Sequence, residues 1–396
     1  MKKTLLAAAL MAGFAGIAHA ETSVTLYGIV DGGVGFNQYK GSGVYGGSGQ
    51  SITSKKTGLI NGVQSGNRWG LKGSEDLGDG LRAVFQLESG FDLGTGESGQ
   101  SRSVKNGTAT DTRTRLFGRQ ATLGLAGDSW GQLDFGRQTN ITSKYLPGVA
   151  DPFGAGFDQA NIGAAFTASN TVRYDNLVTY QTPNFSGFQL GVGYSFNTDG
   201  PQAYKENGGL EKNQRAITTG IRYANGPIGV ALTYDQYKTA ETQPGGQGTP
   251  VFGGQTVKSW NIGGSYDFEV VKAYLAFGQT RDGLFATQSF SGEKIDFTPL
   301  GGDGKGLKVN SYLVGLSAPV GAGNVMASWT MADPRSAPDA ARAGTEMKKQ
   351  NTYSLGYTHP LSKRTNVYAI GSYAKNVHFS TDAKSTLVGV GLRHQF

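Results

Sequence analysis

The stretch TLVGVGLRHQF, residues 386–396, changes character at every step. Val388, Val390, Leu392, His394 and Phe396 fall on one side; Leu387, Gly389, Gly391, Arg393 and Gln395 fall on the other. Side chains of an extended chain point to opposite faces in turn, so this is a strand with one apolar face and one small or polar face. FQLGVGYSFN, residues 188–197, repeats the pattern with Phe188, Leu190, Val192, Tyr194 and Phe196 opposite Gln189, Gly191, Gly193, Ser195 and Asn197. Residues 228–234, 260–268, 271–279, 325–331 and 367–373 keep the same rhythm.

Alternation alone also describes a water-soluble sandwich. Three features decide against it. The small face carries Arg and Asp among its Gly, Ser, Thr and Asn, as a wet lumen would. Aromatics gather near strand ends (Tyr194 and Phe196, Tyr223, Tyr266 and Phe268, Trp329, Tyr353 and Tyr357, Tyr373), where the girdles of a membrane barrel lie. Connections alternate short and long. Short turns fall at 74–80, 127–130, 183–187, 224–227, 267–270, 319–323 and 360–365; Asn225-Gly226 has tight-hairpin chemistry. Long connections fall at 39–63, 92–113, 139–170, 198–213, 239–256, 282–307, 334–348 and 377–384. Seven short and eight long connections separate sixteen strands. The expected fold is an all-β, sixteen-stranded antiparallel transmembrane β-barrel, closed so that no unpaired edge meets hydrocarbon.

Met1–Ala20 reads as a cleaved secretory signal peptide. Lys2 and Lys3 form its basic start, Leu5–Ala18 its apolar centre, and Ala18-His19-Ala20 its cleavage site. The barrel then occupies 21–396 as one domain, without a linker. No other segment approaches ~18 uninterrupted apolar residues, so no membrane-spanning helix is expected. With no cysteine, an exported chain must draw its stability from topology rather than disulfides. The formal charge of +7 falls by the two leader lysines. The remaining bases are scattered over strand ends and loops rather than gathered in a stripe, which excludes a nucleic-acid interface.

Residues 139–170, between strand-like 131–138 and 171–181, form a loop of Gly, Ala, Pro, Asn and Thr that carries Asp151 and Asp158. A loop this long inside a compact domain is usually functional. Folded into the lumen, it would set the aperture.

These residues resemble the general porins of Gram-negative bacteria of the Neisseria, Bordetella and Burkholderia type. The resemblance rests on VTLYG at 24–28, RWGLKGSEDLG at 68–78, GQLDFGR at 131–137, YQTPNFSG at 180–187, LSKRT at 361–365 and the terminal Phe396. It implies a homotrimer of sixteen-stranded barrels with the third external loop folded inward. It also places Arg68, Arg119 and Arg173 on the constriction wall. Alternation agrees for Arg68, opposite Trp69 and Leu71, and for Arg173. Arg119 shares the parity of outward Ala121, Leu123 and Leu125, and needs a bulge to reach the lumen. Asp151 lies in DPFG, which resembles the family's Pro-Glu-Phe-Gly with the acid displaced; it either faces the aperture or bonds its own backbone. Asp158 lies where another acid sits. Lys144 could reach the aperture, and Arg137 either latches a neighbouring subunit or pairs locally.

Arginines facing acids give a transverse field across the aperture. Three cations against two acids imply a weakly anion-selective channel for passive diffusion of ions and small hydrophilic solutes in the outer membrane. The alternative is a channel selective for a sugar or an organic anion. A sugar channel needs a file of inward aromatics, but Tyr27, Tyr274 and Tyr368 lie on distant strands. An enzyme needs a His-containing constellation, and His359, His378 and His394 cannot converge. The partners expected are ions and small solutes, outer-membrane lipid and sister subunits, with no cofactor or metal. Gly41–Gly49 lacks the helix of a phosphate cradle and reads as an outer loop.

Overall fold

Residues that alternate apolar and small hydrogen-bond into one continuous antiparallel sheet. The computed structural model describes residues 23–396 apart from 43–50, 101, 107–108, 114, 206, 208, 243–251, 289, 291–303, 340 and 342–345. The leader and most of Gly41–Gly49 lie outside these described residues. Strand β1 is Ser23–Ser42, and β2 comes in two segments, Ser51–Asn61 and Arg68–Gly78. Then follow β3 (Leu81–Gly90), β4 (Gln120–Gly127), β5 (Gly131–Thr139), β6 (Arg173–Gln181), β7 (Phe188–Ser195) and β8 (Ala216–Asn225). The second half comprises β9 (Ile228–Lys238), β10 (Thr256–Asp267), β11 (Lys272–Arg281), β12 (Lys308–Val320), β13 (Gly323–Ser336), β14 (Gln350–Pro360), β15 (Thr365–Lys375) and β16 (Lys384–Gln395).

Each strand pairs with its sequence neighbours, and β16 returns to pair with β1 from Ile29↔Gln395 to Lys40↔Lys384. The result is a closed, sixteen-stranded antiparallel barrel. Beyond the last strand, Gly28 and Phe396 exchange backbone hydrogen bonds of 3.1 and 3.2 Å and extend the seam. The faces follow the alternation. Val388, Val390 and Leu392 are about half exposed on the outside, whereas Leu387 is buried inside. In hydrocarbon the outer positions meet lipid, and closure gives each strand a hydrogen-bonding neighbour on both sides.

The turns differ by side. Asp79 and Gly80, both at positive φ (52° and 74°), form the two-residue hairpin between Gly78 and Leu81. Two positive-φ residues are what a type I′ turn requires. Asn225 pairs with Ile228 across Gly226, as its sequence indicates.

Four expectations change. The connection 39–63 includes strand on both sides: β1 runs to Ser42 and pairs with Ser51–Asn61. Residues 62–67 then leave the sheet between the two segments of β2. Connection 92–113 contains a two-stranded pair, Arg102–Asn106 with Ala109–Arg113. Residues 139–170 are not irregular throughout, but hold helices α1 (Ile141–Tyr145) and α2 (Pro147–Ala150) and three 3-10 turns. Alternation also leads one to expect a lumen-side Gly391→Ser to be mild, and packing contradicts it. A Cβ at Gly391 would stand 2.3 Å from the Tyr368 ring, so Gly391→Ser is not the mild change that alternation suggests.

Candidate functional site

Loop 140–172 begins where Asn140 leaves β5, and that residue fixes its course. The Asn140 Oδ1 accepts from Ser143 N at 3.1 Å and caps α1. Its Nδ2 donates to Ala168 O and to Asp235 Oδ1, both at 2.8 Å, drawing the two ends of the loop together against β9. Thr142 Oγ1 donates to the other Asp235 oxygen, and Ile141 N donates to Thr218 Oγ1 at 2.8 Å. Farther on, Ser311 Oγ donates to Ala165 O at 2.7 Å and Gln350 Nε2 to Ala164 O at 2.6 Å. Gln159 bridges Ser372 and Ser385. The loop therefore lies inside the barrel along β8 to β16.

Its packing explains the inner face there. Ile141, Leu146, Val149, Ile162 and Phe166 form one buried cluster with wall residues Ala231, Ala276 and Leu313. Fully burying such a side chain stabilises by about 1.5–3 kcal/mol. Wall glycines make the approach close. A Cβ at Gly191 would stand 2.7 Å from Ile141 Cδ1, one at Gly315 2.7 Å from Pro152 Cδ, and one at Gly356 2.8 Å from Phe153. At the tip, Phe157 meets Phe153 and Tyr368 edge-on, at 5.4 and 5.7 Å. Phe157 and Asp158 both have positive φ (61° and 46°), a strained turn that this aromatic packing holds.

The loop tip packs on Ile60 and Val63, and the arginines lie on the inner wall of β2 to β6 beyond that contact. Arg119 N donates to Glu88 O, and Gln120 is the register partner of Glu88. Two residues thus oppose one, which is the bulge that brings Arg119 to the inner side. Its Nε lies 2.6 Å from Glu88 Oε1, with both side chains largely buried. Tyr27 donates its hydroxyl to Glu88 Oε2 at 3.0 Å and receives Gln86 Nε2 at 2.6 Å. Arg68 Nε donates to Gly66 O at 2.9 Å, and Arg173 Nη1 to Thr171 O at 3.4 Å. Arg68, Arg119 and Arg137 are all electrostatic neighbours of Arg173. Arg393 on β16 is a further neighbour of Arg68 and donates to Ser65 Oγ at 2.9 Å.

The loop acids take different places. Asp151 is 4% exposed; its Oδ1 accepts from Phe153 N at 2.9 Å and its Oδ2 from Ile162 N. Burial pushes its pKa up to about 8 against the pull of those N–H groups. Its expected place on the aperture is corrected: it braces the loop from within, as a turn acid does. Asp158 is partly buried, and that burial, followed by the nearby Asp31 carboxylate, pushes its pKa up to about 7. Arg137 pairs locally, Nη1 to Asp175 Oδ1 at 2.6 Å, rather than reaching outward. Lys144 turns to Gln138 Oε1 at 2.8 Å, and burial lowers its pKa to about 8.

Glu88, Asp31, Arg393 and turn 62–67 did not figure among the expected site residues. Asp31 accepts from Tyr368 Oη at 2.7 Å and Ser65 N at 2.6 Å, which pins that turn inward. Glu88 had a signal: it shares the inward parity of Gln86, and an acid within a spanning strand marks function by default.

Known proteins carry the same pattern. The family described as Gram-negative porin matches residues 7–378. The chain is 55% identical to an outer membrane porin protein of Bordetella pertussis and 32% identical to the outer membrane porin protein 32 of Delftia acidovorans. In both comparisons all of each chain is covered. Among solved structures, the anion-selective porin from Comamonas acidovorans matches with a TM-score of 0.66 at 29% identity, over 95% of this chain and 100% of that one. With its closed barrel and inward loop, the chain belongs to the Gram-negative porin family and is a porin of the outer membrane.

Proposed function

We propose that this porin passes ions and small hydrophilic solutes by passive diffusion, with a weak preference for anions. The observation that carries the reading is the charge imbalance between the arginine-bearing wall and the loop. Arg68, Arg119 and Arg173 stand on that wall and Arg393 on the adjoining β16, with Glu88 bonded to Arg119, while the loop offers Asp158. The anion selectivity named for the Comamonas acidovorans protein points the same way. The preference is modest because the pore is wet and salt screens over ~10 Å at 0.1 M. In a potassium chloride gradient across a planar bilayer, the wild-type reversal potential should take the sign of chloride preference and shrink as salt rises. A potential of the opposite sign would refute the reading.

Assembly as a homotrimer belongs to the same proposal. Exposed Val34, Leu59 and Leu93 share an apolar groove on the outer face of the closure seam, a surface suited to a sister barrel. Detergent-extracted channel should migrate at three times the chain mass before heating; monomer under mild extraction would count against it.

A further inference from the structure

At the outer ends of β6 and β9, residues of four external loops help to enclose a cavity of about 390 Å³. Arg115, Arg137 and Arg173 line it together with Tyr174, Tyr237 and Phe285. Arg115 Nη2 lies 2.8 Å from Asp175 Oδ2 and 2.8 Å from Asp199 Oδ1, and Arg137 shares Asp175. Two carboxylates therefore serve two of the three guanidiniums. Arg173 keeps its long contact to Thr171 O, and its Nε is buried without a hydrogen-bond partner. The Tyr174 hydroxyl, on a residue 4% exposed, is also buried and unpartnered. Buried donors are normally satisfied, so two on adjacent residues lining one cavity point to an absent acceptor.

Another part of the lining is aromatic. The Tyr237 and Phe285 rings meet edge to face at 5.1 Å and 73°, and Tyr237 is held by its hydroxyl to Leu284 O at 3.0 Å. Val172 and Ala216 lie in the apolar cluster against which these rings pack. Cationic donors beside a fixed aromatic surface suit a ligand with a planar anion at one end and a ring at the other.

We propose that this cavity captures small aryl carboxylates of the benzoate kind at the outer mouth. The carboxylate accepts from Arg173 and the Tyr174 hydroxyl, and the ring lies against Phe285 and Tyr237. The inference rests on the anion reading of the channel and names a solute class within it. A short aliphatic acid lacks the ring, and an aryl ammonium meets a surplus of positive charge. The volume falls within the usual range of small-molecule sites.

The test is current block in planar bilayers at constant potassium chloride, with benzoate, acetate or benzylammonium added on the long-loop side. Benzoate should halve the chloride current at a concentration about tenfold below acetate, and benzylammonium should have no effect at either level. Phe285→Ala should raise the half-blocking benzoate concentration about fivefold and leave the potassium chloride reversal potential unchanged. Phe285→Leu, which keeps bulk, should shift it in the same direction. Equal block by benzoate and acetate, or unchanged benzoate block in both variants, would overturn the site. The wild-type reversal potential separately decides the anion reading, so the two failures are distinguishable.

Discussion

Arg119 and Glu88 show how far single residues could be read. Arg68 and Arg173 were legible because each alternates with outward neighbours. Arg119 has the wrong parity, and the bulge opposite Glu88 that corrects it depends on the register of β3 and β4. Glu88→Gln should release Arg119 and raise the chloride-to-potassium permeability ratio; an unchanged ratio would place the pair outside the ion path. Asp151 stayed open because a displaced acid beside Pro152 reads equally as aperture or turn, and only packing separates the two. Asp151→Ala removes both acceptors and leaves buried N–H groups unpaired, at about 1–3 kcal/mol each. Open-channel noise should therefore rise with little change in ion preference. Asp158 carries the pH response. Because its folded pKa stands near 7, above the ordinary carboxylate value of 3.8, the folded chain holds the proton more tightly than the unfolded one. Its contribution to stability thus falls as pH rises between those values. If Asp158 faces the aperture as proposed, anion preference should weaken in the same direction, as ionisation adds negative charge to the loop. Reversal potentials from pH 5 to 9 check this, and Asp158→Asn should flatten the curve.

At the scale of elements, the strands were legible wherever one face meets lipid, because burial in hydrocarbon enforces the period of two. Alternation stops being a guide where that constraint ends. From Asn37↔Lys56 to Ser42↔Ser51 the ladder continues, so hydrogen bonding persists where apolar alternation does not. The helices of the inner loop were hidden for a different reason: at five and four residues, they are too short to display a periodic face. The wall glycines were visible as composition, but their purpose was not, since it lies in the loop they admit. Gly315→Val should push against Pro152 at a cost of about 1–3 kcal/mol, relieved by moving the loop into the lumen. Single-channel conductance should fall and noise should rise. Unchanged conductance would mean that the loop does not rest on this wall during conduction. Asp235→Ala, which unties Asn140 and Thr142, should loosen the same loop from its other end.

For the whole molecule, closure couples the first and last strands, and the sidedness of the wall decides what each substitution costs. Val390→Arg puts a charge on the lipid face and should cost about 2–4 kcal/mol at mid-depth. Thr122→Lys, in the wet cavity that Lys144 also lines, should cost far less. Urea titration in lipid vesicles ranks the two; the reverse order would invert the face assignment. Removing Phe396 takes away the backbone pair with Gly28 and should lower the outer-membrane yield in a Gram-negative host. The central claim is that fixed positive charge on the arginine-bearing wall sets ion preference. It is tested most directly by the reversal potential of the Arg68→Ala, Arg119→Ala, Arg173→Ala triple variant in dilute potassium chloride. The account predicts a clear shift from chloride toward potassium preference, lost at high salt, whereas a reversal potential equal to wild type in dilute salt would contradict it.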